Sequence, residues 1–196
     1  LETIYPPVTA PAWSSFMTGK NPGKHGVYEF LHRKRGTLEQ IPVNAGMLGS
    51  ETLWEMMSKA GKRMVVVSVP LCYPPFPVNG TLMSDFLAPK GARDLSYPPE
   101  LLKEVEDKFG EYLLYHKQVY TKDNVANVLA ELEEHTAYRQ TVAEYLLKRD
   151  PWDFAMVYFE GTDRLQHELW HVIDPTSPMH DVKESEQFGE RTRDYY

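Results

Sequence analysis

Two short stretches of the chain hold residue types that could do chemistry together. In the first, Thr9-Ala10-Pro11-Ala12-Trp13 is followed by Thr18-Gly19, Pro22 and His25-Gly26. Thr9 falls where a Pro-punctuated apolar segment, read as a strand end and turn, leads into a short buried helix over Pro11–Met17. Pro11 suits the first turn of that helix. A helix N-terminus offers unpaired backbone N–H groups and the positive end of the helix dipole, so a phosphate binds well there. A threonine hydroxyl at this point can act as a nucleophile if its pKa is lowered. No histidine is adjacent, which leaves a metal ion as the natural activator. The alternative is that Thr9 only caps the helix and the glycines only shape a loop over Thr18–Gly26.

In the second stretch Asp163 and His167 lie four apart, just beyond an apolar run. On a helix they share one face and both can reach a single metal ion. Carboxylate plus imidazole suits zinc and similar ions, and α/β sheets place their sites at the carboxyl ends of strands. The bland alternative is a helix-capping Asp and an unrelated surface His. The same residues hold a rival pattern. His167-Glu168-Leu169-Trp170-His171 fits His-Glu-x-x-His, in which two histidines bind zinc and Glu is the base of a metalloprotease. The extended form of that motif fails, because Asp174 stands where its glycine belongs, and Glu190 is an unsupported third ligand.

Other polar residues carry weaker signals. Gly19 to His25 is one residue short of a phosphate-binding P-loop and lacks its Ser or Thr after Lys. A sulfatase needs Cys or Ser as nucleophile and Arg four residues on, where Trp13 stands. Lys20, Lys24 and Arg164 could meet a phosphate, with solvation as their default. His116, His135 and His180 have no ligand-like neighbours along the chain, and Cys72, beside prolines, reads as inert. Trp13, Trp54 and Trp170 read as core.

The elements that must position these residues follow an α/β rhythm. Ser50 reads as the N-cap of a helix over Glu51–Ala60 that stops at Gly61. Met64–Val69 is a buried strand of the parallel-sheet type, closed by Pro70. Prolines crowd residues 70–99, where regular structure is expected to be sparse. Leu101–Phe109 is a short amphipathic helix, and Val125, Val128, Leu129, Leu132, Val142, Tyr145 and Leu146 mark one face of a long helix from about Asp123 to Lys148. Asp153–Phe159 is a second buried strand, and Glu160-Gly161-Thr162 turns off its end. This divides the chain into residues 1–70 as the first part of an α/β core, 71–122 as an inserted cap, and 123–196 as the second part of the core. Tyr73, Asn79 and Asp85 fall in that cap as substrate contacts or packing residues.

Composition excludes several classes. The 196 residues are 42% hydrophobic and 25% charged, enough for a packed core. A formal charge of −7 argues against a general nucleic-acid binder. One cysteine excludes an intrachain disulfide and any multi-cysteine metal site. No apolar run approaches the ~20 residues of a membrane span, so no membrane partner is expected. The lone free Cys72 favours a cytoplasmic protein, against the formal glycosylation acceptor Asn79-Gly80-Thr81. Oligomeric state has no signal here. The chain opens at Leu1 without Met and stops in a charged, helix-like stretch, so we read it as a segment of a longer protein.

Taken together, Thr9-Ala10-Pro11, Thr18-Gly19, Pro22, His25-Gly26 and the Asp163/His167 pair resemble the type I phosphodiesterase and nucleotide pyrophosphatase branch of the alkaline phosphatase superfamily. Where characterised members have an Asn a few residues past His-Gly, this chain has Tyr28-Glu29-Phe30. That matches the uncharacterised microbial phosphohydrolases of the superfamily, as does the wording Thr162-Asp163-Arg164-x-Gln166-His167. The resemblance implies an alkaline-phosphatase-like three-layer α/β sandwich with a mostly parallel sheet. It implies Thr9 as nucleophile and metal ligand, and Asp163 and His167 as ligands of the ion that binds the attacking water. It also implies two divalent metal ions, zinc first, with manganese or magnesium as alternatives. The reaction implied is hydrolysis of a small phosphorylated substrate, such as a nucleotide, through a phosphothreonine. The remaining ligands are expected in an Asp-Gly before Leu1 and in an Asp-His-Gly and a further His after Tyr196, so this stretch alone should bind metal weakly. The rival readings are the zinc protease and a non-catalytic remnant of the fold.

Overall fold

The computed structural model describes residues 2–196. They form two compact units, one running through Tyr112 and resuming over Ala143–Tyr158, the other made of Leu113–Val142 and Phe159–Tyr196.

The first unit opens with α1 (Thr9–Thr18), preceded by turns and bends rather than by the strand end expected there. Ala10, Pro11, Ser14, Met17 and Thr18 form its buried face. The two hydroxyls on that face satisfy themselves, Ser14 Oγ donating to Ala10 O at 2.8 Å and Thr18 Oγ1 to Ser14 O at 2.7 Å. Gly19, at φ +62°, ends the helix in the left-handed conformation that glycine adopts without strain. The stretch expected to be all loop contains one helical turn, α2 (Pro22–His25), because Pro22 sets the φ of its first position. A small hairpin of β1 (Leu31–Arg33) and β2 (Gln40–Pro42) follows.

Helix α3 (Leu53–Lys59) is capped by Thr52, not by Ser50. Glu55 decides this. Thr52 Oγ1 accepts its amide while the Glu55 carboxylate accepts the Thr52 amide at 2.7 Å, a reciprocal box that Ser50 cannot form. Strand β3 (Met64–Val67) is buried throughout and pairs in parallel with β4 (Gly80–Met83) on one side and β6 (Phe154–Val157) on the other. The two-residue β5 (Ser96–Tyr97) runs antiparallel to β4, giving the order β5-β4-β3-β6. Residues 71–112 thus supply β4, β5 and α4 (Glu100–Phe109) to the first unit. The core is built on Trp54, fully buried, whose indole N–H points to Met17 Sδ at 3.2 Å.

At the carboxyl ends of β3 and β4 the chain is tied by a fully buried carboxylate. Asp85 accepts the Cys72 amide at 2.8 Å and the Leu87 amide at 2.9 Å, and Ser84 Oγ donates to Cys72 O at 3.0 Å. Burial pushes the Asp85 carboxyl up to about 6, against the pull of those amides. Below pH about 3 Asp85 is largely protonated in both the folded and the unfolded chain. As pH rises toward 6 the unfolded chain ionises first, so the native state loses up to about 3 kcal/mol from this group and the loss levels off above its folded pKa. Denaturant titrations of the protein and of Asp85→Asn from pH 3 to 7 test this. The difference in stability between the two should shift in favour of the variant by that amount as pH rises. Parallel pH profiles would refute it.

The second unit takes α5 (Val125–Arg149) as far as Val142, together with α6 (Gly161–Ile173) and α7 (Val182–Asp194). Val125, Val128, Leu129 and Leu132 of α5 pack with Leu165, Leu169 and Val172 of α6, each set at helical spacing. Asp181 caps α7 by accepting the amides of Lys183 and Glu184. Among the described residues, no helix is long and apolar enough to cross a membrane.

Candidate active site and metal-ligand groups

Thr9 is the first helical residue of α1 and is half-buried. Val8 before it is extended, at φ −119° and ψ 147°, and provides no side-chain cap. Ala12 N–H donates to Val8 O at 3.0 Å, and Pro11 has no N–H. The amides of Thr9 and Ala10 are therefore left without an intrahelical acceptor, beside the positive end of the helix. An anion placed there would be bound by both.

The rest of the Thr9–Gly26 pattern holds this helix in place. His25 is fully buried. Its Nδ1 accepts the Val27 amide at 3.2 Å, which assigns the ring proton to Nε2, and that proton is donated to Ser15 Oγ at 2.9 Å. Burial lowers the His25 pKa and keeps the ring neutral. Thr18 Oγ1 accepts the Lys20 amide at 3.2 Å and Pro22 is buried. The spaced residues after Thr9 are thus a clamp on α1.

Asp163 and His167 lie in the second unit, in the first and second turns of α6. The helix brings them together, with His167 Nε2 3.7 Å from Asp163 Oδ1, and leaves their side chains 74% and 55% exposed for His167 and Asp163 respectively. Both are open to an ion or a substrate, and a carboxylate in the first turn is favoured by the dipole. The His-Glu-x-x-His residues are arranged differently. His171 is buried and donates to Glu184 at 2.9 Å. Glu168 accepts the Tyr120 amide at 2.8 Å and pairs with Arg164. Only His167 of the three is open, so they do not converge on one point, and His171 is a buried hydrogen-bonding residue of α6.

The model of one family, Type I phosphodiesterase / nucleotide pyrophosphatase, matches residues 1–186. The chain belongs to this family. The family belongs to the alkaline phosphatase superfamily, hydrolyses phosphoesters and is typically metal-dependent, and the mostly parallel α/β sheet of the first unit is consistent with that fold. No curated protein matches the chain.

Besides the residues this family pattern marks, the chain holds a group that no local spacing joins. His116, His135 and Glu160, taken above to lack ligand-like surroundings or to form a turn, have donor atoms within 4.8 Å of one another. His116 Nε2 lies 2.8 Å from Glu160 Oε1, and the two imidazoles stack with centroids 4.1 Å apart. Burial pushes the His135 pKa down to about 4, with the neighbouring His116 adding to the effect, so its ring is neutral near pH 7. Burial also opposes the charge on Glu160, but the hydrogen bond from His116 and the nearby Arg139 outweigh it and hold the carboxyl below its ordinary range. One signal of this group was visible in the sequence: His135 and Arg139 continue the buried stripe of Val128, Leu132 and Val142 on α5, two polar residues where apolar ones belong. His180 also has a partner, its Nδ1–H donating to His171 O at 2.8 Å.

Proposed function

We propose that the protein hydrolyses phosphoric esters of small substrates, of the phosphodiester or nucleotide pyrophosphate type, with Thr9 as nucleophile and through a phosphothreonine. The observation that carries this reading is the family match over residues 1–186, within which Thr9 opens α1. Thr9 Oγ1 forms a bond to phosphorus as the bond to the leaving oxygen breaks, and the leaving group departs as an alcohol or phosphate after taking up a proton. Water then cleaves the Oγ1–P bond and restores the hydroxyl. The amides of Thr9 and Ala10 orient the phosphoryl oxygens and offset part of their charge. The Ser15–His25 hydrogen bond fixes the helix that carries them.

Asp163 and His167 would hold one divalent ion, and Thr9 a second, with zinc the best match to imidazole and carboxylate donors. When bound, such ions supply the positive charge that favours the threonine alkoxide and neutralises a transferring phosphoryl group. Their donor atoms fit this role, since both α6 side chains are exposed, adjacent and not committed to a second buried partner.

The test is turnover of a p-nitrophenyl phosphodiester by the intact zinc-loaded protein. Asp163→Ala and His167→Ala should each lower kcat/KM by about 10²-fold or more, at least the cost of losing a supporting group around a metal. Chelation should remove the activity and added zinc restore it. Turnover that neither variant nor chelator reduces would exclude the assignment of these two residues.

A further inference from the structure

We propose that His116, His135 and Glu160 form a second, separate metal site that takes one divalent ion of the zinc type and serves to hold the second unit together. Two imidazoles and one carboxylate are the donor set of many zinc sites. The three residues come from three distant parts of the chain: the segment before α5, the middle of α5, and the residue that starts α6. An ion shared among them would cross-link those parts.

The cluster already places a further carboxylate where such a site needs one. Histidines that bind metals usually turn their other nitrogen to a carboxylate, which fixes the ring. His116 does so. Its Nε2 faces Glu160, and its Nδ1 faces Glu131 Oε2 at 3.7 Å. Glu131 is itself held by the amides of Lys117 and Gln118, at 2.7 and 2.9 Å. In the neutral ring Nε2 carries the proton donated to Glu160, and it becomes a ligand when that proton moves to Nδ1, toward Glu131.

A purely ionic network accounts for only part of the cluster. Arg139 stands 3.9 Å from Glu160 Oε1, and with His116 it explains why a carboxylate is buried there. It does not explain His135. That residue is 7% exposed, and its Nδ1 is buried with no hydrogen-bond partner. Leaving such a group unpaired costs about 1–3 kcal/mol. A cavity of about 10 Å³ lies against His116, His135, Arg139 and Glu160, room for one water-sized particle and far too little for a phosphoester. An orphaned imidazole nitrogen, a second imidazole and a carboxylate around a space of that size are the surroundings of a bound ion. Because the rings stack, His135 must turn about its χ2 to share the ion with His116, and Arg139 must move off Glu160.

The experiment counts zinc bound by the intact protein in the Asp163→Ala/His167→Ala background, which removes the family's α6 ligands and so keeps this proposal independent of the catalytic one. Adding His135→Ala should lower the number of zinc ions bound by one and abolish the zinc-dependent rise in melting temperature. Ring ¹⁵N spectra provide a readout that needs no change at the site. In the background variant, zinc should shift the ring nitrogens of both His116 and His135. The proposal is overturned if the zinc count is unchanged by His135→Ala, or if neither ring responds to zinc.

Discussion

Thr9→Ala is expected to lower phosphoester turnover by about 10³-fold or more while leaving the fold intact, because Thr9 is the proposed covalent nucleophile and removal of such a group costs rates of that order. The fold should survive for reasons visible around α1. Thr9 makes no capping bond, since the cap is Val8 with its side chain uninvolved. The contacts that hold the helix come from residues further along: Met17 against Trp54, and the Ser15–His25 hydrogen bond. Truncation at this half-buried position, which makes no capping bond, should change stability by about 1 kcal/mol or less. Thr9→Ser keeps a hydroxyl at the same point and should retain turnover that Thr9→Ala lacks. Parallel loss in both would mean that the methyl group, and hence packing, is what matters at this position.

Gly80→Ala should be among the most destabilising single substitutions available in the first unit. Gly80 opens β4 at φ +141°, a conformation that side chains rarely adopt, and it pairs directly with Met64 of β3. A Cβ built there would lie 1.9 Å from Met64 O and 2.8 Å from Met64 N. Those atoms belong to the backbone of the central strand and cannot swing aside. The variant must either separate β4 from β3 or distort the ladder, and the strained φ alone costs about 1–3 kcal/mol. We expect a total loss of about 4 kcal/mol or more, a large part of the 5–15 kcal/mol that stabilises a typical domain. Gly91→Ala is the matched control. Gly91 also has a positive φ, +82°, but a Cβ there meets nothing within 4 Å, so urea denaturation should show a loss nearer 1 kcal/mol. Equal losses at the two positions would contradict the role assigned to close approach.

The sequence made the larger periodic elements legible and hid those that depend on distant partners. Met64–Val67 and Phe154–Val157 stand out as apolar β-branched and aromatic runs, and α5 as a long helical stripe. Strand β4 does not, because its four residues sit among prolines and begin with a glycine, and only the β3 edge beside it makes them a strand. Two hydroxyl residues, Ser50 and Thr52, compete as the cap of α3, and Glu55 three positions after Thr52 decides between them.

The candidate site divides in the same way. Thr9 and the Asp163/His167 pair are proposed from patterns whose spacing is local in the chain. His116 and Glu160 are 44 residues apart, and no local pattern joins them. What betrayed the cluster was a conflict in α5, where His135 and Arg139 occupy a stripe that otherwise carries Val and Leu. A polar residue on a buried face must find a partner, and that requirement can be read before the partner is known.

On the proposed mechanism, Thr9 carries the phosphoryl group during turnover. The most direct measurement is to quench the intact protein with acid while it is hydrolysing a phosphodiester, digest it, and locate phosphate by mass spectrometry. Phosphate on the peptide containing Thr9, and its absence from Thr9→Ala, is the predicted result. Sustained turnover with no phosphorylated Thr9 at any time point, or undiminished turnover in Thr9→Ala, would contradict it.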